Sequence, residues 1–146
     1  MATLSNKEIA AILSEIGEYL EMQGVAFKPR AYEKAAEAIG DLSEAVVGIY
    51  KKSGLKGLEE IPGVGASIAE KIEELIKTGH LRYYEELKKK TPVDLGELTR
   101  VEGLGPKSVK KLYQKLGVRN LKELEAAGRA GKIGKLEGFG KKSEEN

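Results

Sequence analysis

The sequence feature that most constrains the fold is a short turn with two glycines that leads into a helical pattern. Ile61-Pro62-Gly63-Val64-Gly65 precedes the segment Ala66 to Lys77, where apolar residues recur every three or four positions. This spacing predicts one apolar face of an α-helix, and Thr78-Gly79 is typical of a helix end. The two glycines allow a turn that is too tight for a Cβ atom. We therefore predict a hairpin that opens directly into an amphipathic helix.

The same pattern recurs further along the chain. Val101-Glu102-Gly103-Leu104-Gly105-Pro106 again precedes an amphipathic segment, and a third copy is expected to begin at Leu136-Glu137-Gly138-Phe139-Gly140-Lys141. Such a turn leaves backbone N–H groups unpaired at the start of a helix, where they can bind an anion. The repeat is therefore the sequence form of a helix-hairpin-helix, a unit that binds phosphate groups.

The residues before the first hairpin predict further helices. Ser5 and Glu8 have the spacing of a capping box, which marks a helix start. A second helix is predicted to open at Lys28-Pro29-Arg30, because proline is favoured in the first turn. A third helix is expected over 42–51, followed by a loop over 53–57.

The residues after the first hairpin helix predict a break between two units. Thr91-Pro92 ends a helical pattern over 81–90, because the residue before a proline disfavours helical backbone. This position is the predicted boundary between a domain over 1–90 and a domain over 91–146, each with a helix-hairpin-helix. Because no segment alternates apolar and polar residues over a useful length, we predict an all-α fold of two small helical subdomains.

Composition excludes several classes of site. The chain has no cysteine and one histidine. Disulfides and thiolate chemistry are therefore excluded, and His80 lacks partners at metal-ligand spacing, so we interpret it as a surface residue. No apolar run approaches the length that spans a bilayer, and polar residues occupy 5–8, where a signal core would be apolar. We therefore expect a cytoplasmic protein, nucleoid-associated in a prokaryote, with no membrane partner.

Charge is distributed unevenly, although the formal net charge is only +2. Clusters of basic residues favour nucleic-acid binding, and each one considered alone is equally compatible with a solvated helix face. The acidic stretches over 15–21 and 59–60 are predicted to be solvated and to face away from DNA. The basic clusters are Lys88-Lys89-Lys90, the group Lys107, Lys110 and Lys111, and Lys141-Lys142.

Three segments, over 27–36, 61–72 and 98–106, resemble the amino-terminal part of family X DNA polymerases. The resemblance covers nearly the whole chain in order. It implies a lyase domain followed by a subdomain that grips duplex DNA, and a monomer whose partner is gapped or nicked DNA with a 5′-phosphate. The polymerase palm, with its Mg²⁺ site, would lie beyond Asn146, so we expect the chain to be part of a longer protein.

The resemblance assigns catalytic roles to two neighbouring residues. Lys71 matches the family lysine that forms a Schiff base with an abasic sugar, without a cofactor, and Glu70 is a candidate for proton transfer. Helical spacing puts Lys71 at the margin of the apolar face, where partial desolvation favours the neutral, nucleophilic amine. The alternative is a boundary lysine with its head in water, beside a solvated carboxylate.

The resemblance also implies a pocket for the 5′-phosphate. Its residues would be Lys28 and Tyr32, with Arg30 and the Ser67 hydroxyl added. Because the chain lacks cations that the family has there, we expect a modest preference for the 5′-phosphate. The departures are Phe27 in place of a histidine, and Ser67 and Tyr83 in place of lysines.

Both hairpins are predicted to contact DNA through their backbone. The N–H groups of the turns would bind phosphates, and the lysines of the second hairpin helix would add charge. The family's hairpins also bind a monovalent cation, Na⁺ or K⁺, through backbone carbonyls. The predicted DNA contacts are Gly63, Gly65, Gly103, Gly105, Lys107, Lys110 and Lys111, and the predicted cation ligands are the carbonyls of Glu59, Ile61, Val64, Thr99, Val101 and Leu104.

Two other functions fit parts of this pattern. In the first, the chain is a non-catalytic, sequence-independent DNA-binding module, and Lys71 is one more phosphate contact. In the second, it is a protein-interaction domain that happens to contain glycine hairpins. The repetition of the hairpin and the basic residues after it argue against the second alternative.

Overall fold

The computed structural model describes residues 4–101 and 104–129, and these residues form helices without strands, which confirms the all-α prediction. None of the described helices is long and apolar enough to cross a bilayer. Gly103 and the expected third hairpin over 136–141 lie outside the described residues. The helices are α1 Asn6–Met22, α2 Lys28–Asp41, α3 Val46–Glu59, α4 Ala66–Thr78, α5 Arg82–Lys90, α6 Leu95–Leu98, α7 Pro106–Leu116 and α8 Leu121–Arg129.

Local sequence signals define most of the helix ends. The Ser5 hydroxyl accepts a hydrogen bond from the Glu8 N–H at 3.1 Å, and the Glu8 carboxylate accepts one from the Ser5 N–H at 3.2 Å. This confirms the capping box at the start of α1. Gly79 and Gly117 end α4 and α7 in the left-handed conformation, with φ of 78° and 69°. Such a conformation is costly for residues with a Cβ, so these glycines are effective stops.

Helix α3 differs from its prediction at both ends. It begins at Val46 rather than at residue 42, and the predicted loop over 53–57 is part of it. Gly54 interrupts the helix with a φ of 64° and a ψ of −154°, and the chain then resumes a helical path. The piece after Gly54 is too short to show a periodic apolar pattern, which explains the wrong prediction.

Helix α1 lies at the centre of the molecule. It packs against α2 and also contacts α5, α6 and α7. The Tyr19 hydroxyl donates a hydrogen bond to the Val93 carbonyl at 2.9 Å, and the Tyr84 hydroxyl donates one to Glu15 at 2.7 Å. Through α1, the helices around the first hairpin are therefore connected to those around the second. The boundary at Thr91-Pro92 remains a prediction, although α5 does end there.

The prediction that the acidic residues of α1 are solvated is wrong for two of them. Glu15 accepts the hydrogen bond from Tyr84, and Glu18 is half-buried with one carboxylate oxygen, Oε2, that has no hydrogen-bond partner among the described residues. Desolvation raises the pKa of Glu18 above its usual value. A hydrogen bond with the Thr99 side chain lowers the pKa, but this effect is smaller. The packing of later helices onto α1 covers these residues, and the amphipathic pattern of α1 alone could not reveal that contact.

Candidate nucleic-acid interface

The two hairpins have the same backbone hydrogen-bond pattern. In each, the last apolar residue of the turn bonds back to the first, and the first turn of the following helix closes on the second glycine. The two turns are therefore structural repeats, as the sequence predicted. The equivalent N–H to carbonyl distances are 3.0 Å for Val64 to Ile61 and 3.1 Å for Leu104 to Val101, then 2.9 Å for Ala69 to Gly65 and 3.0 Å for Val109 to Gly105.

The glycines of the turns serve different purposes. Gly63 has a φ of 90°, and an added Cβ would lie 3.4 Å from the Lys34 carbonyl oxygen, so the fold itself requires glycine there. Gly65 and Gly105 have ordinary extended backbone, with φ of −89° and −101°, and an added Cβ would meet nothing within 4 Å. These two glycines leave the starts of α4 and α7 uncovered, which is where unpaired N–H groups can hold an anion.

The lysines of α7 differ in exposure. Lys107 is exposed, whereas Lys110 and Lys111 are partly buried. Lys107 lines a cavity of about 470 Å³ together with Arg30, Glu21 and Glu33. The structure therefore brings one predicted DNA contact of the second hairpin close to the start of α2.

Arg30 does not lie with the residues with which the sequence analysis grouped it. It lines the cavity near Lys107, and that cavity is lined by neither Lys28 nor Tyr32. Residues two positions apart on a helix point to nearly opposite sides, whereas residues four apart share a face. Lys28 and Tyr32 therefore remain on one face of α2, and Arg30 is separated from them. Phe27 lines the cavity near Arg30; its side chain is 91% exposed and its φ is 67°.

Lys71 lies in a cavity of about 330 Å³ between α4 and α5. Its Nζ donates a hydrogen bond to the Ser67 hydroxyl at 3.0 Å, and the same atom lies 4.8 Å from the centre of the Tyr83 ring. Glu70, the predicted proton-transfer residue, also lines this cavity and is otherwise exposed. The structure thus brings together the two predicted catalytic residues and two of the three positions where the chain departs from the family.

Burial lowers the pKa of Lys71 below its usual value. The carboxylates of Glu70 and Glu74 oppose this shift, while the nearby Lys28 ammonium adds to it. The Tyr32 hydroxyl is buried, which raises its pKa, and it also interacts with Tyr83. Lys28 is therefore close enough to act on the Lys71 amine, and Tyr32 is close enough to Tyr83 for the two hydroxyls to interact. The phosphate pocket itself remains a prediction.

Tyr83 is the residue whose role the sequence analysis missed. The resemblance marks it only as the loss of a lysine, whereas its ring packs against the Lys71 amine. Ser67 is predicted only as part of the phosphate pocket that the resemblance implies, although its position one helical turn before Lys71 could have indicated the contact. The face that α5 presents to α4 has no comparable signal in the sequence, because it depends on how two helices pack.

The carbonyl groups predicted to bind a monovalent cation are partly engaged. Within the described ranges, the carbonyls of Ile61 and Val101 each accept an N–H hydrogen bond, at 3.0 and 3.1 Å, and a carbonyl oxygen has two lone pairs. Among the described residues, no group of three or more His, Cys, Asp or Glu side chains is arranged to hold a metal ion. Cation binding by the hairpins therefore remains a prediction that rests on the carbonyls alone.

Two helix-hairpin-helix family models match this chain, and between them they cover both hairpins. A family model described as a helix-hairpin-helix domain matches residues 4–81, and one described as a SAM-like helix-hairpin-helix tandem matches residues 95–146. The first match covers more than half of the chain and contains Ser67 and Lys71, whereas Tyr83 lies just beyond its end. The second contains the hairpin that leads into α7.

Two curated relatives are DNA polymerases. The chain is 34% identical over 143 residues to DNA polymerase/3′-5′ exonuclease PolX of Bacillus subtilis (strain 168), covering 97% of this chain and 24% of that protein. It is 29% identical over 123 residues to DNA polymerase lambda of Rattus norvegicus, covering 84% of this chain and 20% of that protein. The chain thus spans less than a quarter of the length of either relative. It belongs to the helix-hairpin-helix domain family, and its predicted resemblance to family X DNA polymerases is confirmed.

Proposed function

We propose that the chain binds DNA through the sugar-phosphate backbone, using the N–H groups at the starts of α4 and α7. The observation that carries this proposal is the repeated hairpin with an open glycine, Gly65 or Gly105, at each helix start. DNA binding is also the function that the helix-hairpin-helix family and the polymerase relatives support. Because phosphate contacts carry no base information, binding should be nearly independent of sequence.

Salt dependence is the first test of this proposal. Cations such as Lys107 displace counterions from DNA, so the logarithm of the affinity should fall linearly with the logarithm of the salt concentration. Fluorescence anisotropy with two duplexes of unrelated sequence should give the same affinity and the same slope. Lys107→Ala should reduce the slope by about one. Binding that does not depend on salt would instead support a protein-interaction domain.

The region around Lys71 supports a finer proposal, in which Lys28 and Tyr32 hold a 5′-phosphate at a gap. Lys28 lies at the start of α2, where the helix dipole also favours an anion. Ser67 offers a hydroxyl instead of a cation, and its oxygen already accepts from Lys71. The preference for a 5′-phosphate over a 5′-hydroxyl at a gap should therefore be modest. Equal affinity for the two gapped DNAs would count against the pocket.

We further propose that Lys71 acts as the nucleophile of a 5′-deoxyribose-phosphate lyase. The neutral amine attacks the open-chain sugar aldehyde and forms an imine with loss of water. A base, Glu70 or water, then removes a proton from C2′, and the C3′–O bond breaks, which releases DNA with a 5′-phosphate. Hydrolysis of the imine returns the amine. The lowered pKa of Lys71 and its cavity support this role.

Borohydride trapping on incised abasic DNA distinguishes the lyase from a non-catalytic DNA-binding module. The wild-type chain should form a covalent adduct, and Lys71→Ala should lose it while still binding DNA. Lys77→Ala is the matched control, because Lys77 is an exposed lysine of the same helix. The chemistry uses no metal, so chelation of Mg²⁺ should leave the adduct unchanged. No wild-type adduct, or one that persists in Lys71→Ala, would exclude Lys71 as the nucleophile.

A further inference from the structure

The Lys71 amine is held by side chains from two different helices. Ser67 lies one turn earlier on α4 and accepts its hydrogen bond at 3.0 Å, whereas Tyr83 belongs to α5 and presents its ring at 4.8 Å. We infer that Tyr83 is a positioning residue, which holds the Lys71 ammonium against its ring and so sets the pH at which Lys71 becomes a nucleophile. The nucleophilic role itself rests on the proposed lyase function; the contact between ring and amine does not.

The packing of α5 fixes the ring in this position. Leu81, the residue before α5, and Leu87, within α5, are 2% and 4% exposed and anchor the helix in the core. Tyr83 is half-buried between them and lines the same cavity as Lys71. The amine therefore has the Ser67 hydroxyl and the Tyr83 ring as partners and the cavity as its open approach. A substrate carbonyl in the cavity would meet an amine whose direction is already set.

The ring acts on the charge of the amine in a defined direction. The face of an aromatic ring attracts a cation, so Tyr83 favours the protonated form of Lys71, whereas burial favours the neutral form. Burial also raises the pKa of Tyr83, so its hydroxyl remains protonated at neutral pH and the ring acts as a neutral group. The other titratable groups that face Lys71 or line its cavity are Glu70, Glu74, Lys28, Arg82 and Glu86.

Removal of the ring should therefore make Lys71 lose its proton more easily. An exposed cation–π contact corresponds to a shift of about half a pH unit. In Tyr83→Leu, which keeps an apolar side chain over the amine, the pKa of Lys71 should fall by about that amount. In Tyr83→Phe, which keeps the ring and removes only the hydroxyl, it should stay within about a tenth of a unit of the wild type.

The titration can be measured without DNA. Lysines of the full chain are reductively methylated with ¹³C-formaldehyde, and each methyl signal is followed by NMR as the pH rises. The Lys71 signal is assigned as the one that is absent from Lys71→Arg. Tyr84→Leu is the matched control, since Tyr84 is the next residue of α5 and its ring lies 4.4 Å from Lys88 instead. That variant should leave the Lys71 titration unchanged.

The outcomes separate this inference from the lyase proposal. A lower Lys71 pKa in Tyr83→Leu, with Tyr83→Phe and Tyr84→Leu unchanged, supports the positioning role even if no covalent adduct with DNA is ever trapped. An unchanged Lys71 pKa in Tyr83→Leu, with the helical circular-dichroism signal intact, overturns it. So does an equal shift in Tyr83→Phe, because the hydroxyl and not the ring would then be responsible. If the adduct does form, its pH profile should shift down with the same variant.

Discussion

Ser67 is a single residue that affects both the Lys71 amine and the proposed 5′-phosphate pocket. Its hydroxyl accepts a hydrogen bond from the Lys71 amine. The resemblance to family X polymerases predicts a phosphate-binding lysine at this position instead of a serine. A lysine at this position would lie one helical turn from Lys71 on the same face. The like charge would disfavour the ammonium of Lys71 and would also attract a 5′-phosphate.

Ser67→Lys should therefore strengthen binding to a gap with a 5′-phosphate by about tenfold relative to a gap with a 5′-hydroxyl. Competition between the two gapped DNAs in the same titration measures this ratio directly. Ser43→Lys, at an exposed position between α2 and α3, controls for the added charge and should strengthen binding to both DNAs equally. An equal gain for both DNAs in Ser67→Lys would show that no 5′-phosphate lies near α4.

Glu18 gives a prediction on pH-dependent stability. Its pKa is raised, chiefly by desolvation, so the folded state binds a proton that the unfolded state has released. The stabilising effect of protonated Glu18 is complete below its unfolded pKa, near 4.5, and is lost as the pH rises through the higher folded value. Glu15, Glu21 and Glu33 oppose its ionisation as well.

Glu18→Gln should therefore stabilise the fold by about 1 kcal/mol at pH 7, because a neutral amide replaces a half-buried carboxylate, one oxygen of which has no hydrogen-bond partner among the described residues. Urea unfolding at pH 7 and at pH 4 measures the difference in unfolding free energy between the variant and the wild type. We expect the difference to shrink at pH 4, where Glu18 is protonated. A variant that is less stable than wild type at pH 7 would mean that the carboxylate makes a favourable contact in solution.

At the scale of elements, helix ends could be predicted from the sequence and helix contacts could not. The Ser5 capping box and the stop at Gly79 depend on a few neighbouring residues, and both are as predicted. The course of α3 through Gly57 depends on a close approach, since an added Cβ there would lie 2.6 Å from the Ser53 Cβ. That requirement exists only once the helix has formed, so composition alone indicated a loop.

The two glycines of the first hairpin should respond differently to alanine. Gly63→Ala places a Cβ at a φ of 90° and close to the Lys34 carbonyl, and should cost about 1–2 kcal/mol in unfolding free energy. The Cβ added by Gly65→Ala meets no atom within 4 Å. Apart from the effect of replacing the N-cap residue of α4, this variant should lose less than about 0.5 kcal/mol of unfolding free energy. Urea unfolding of the two variants provides the comparison. Equal losses would mean that Gly65 also serves the fold.

At the scale of the whole molecule, α1 connects the two hairpins. The hydrogen bonds from Tyr19 to Val93 and from Tyr84 to Glu15 cross between the two predicted subdomains. The amphipathic pattern of α1 predicted a buried face, but it gave no indication that a second surface is covered by later helices. For the same reason, the sequence could bring Lys71 and Ser67 together on one helix, whereas the approach of Tyr83 required the packed structure.

The most direct test of the central claim is the DNA affinity of chains whose open hairpin glycines are replaced by valine. We predict that Gly65→Val and Gly105→Val each weaken binding to gapped duplex by at least about tenfold, because each blocks the approach of phosphate to backbone N–H groups. The double variant should lose nearly all binding. Gly48→Val, at another glycine where an added Cβ meets nothing within 4 Å, should bind as the wild type does. If the double variant keeps its helical circular-dichroism signal and binds gapped DNA with unchanged affinity, DNA is not held by these hairpins.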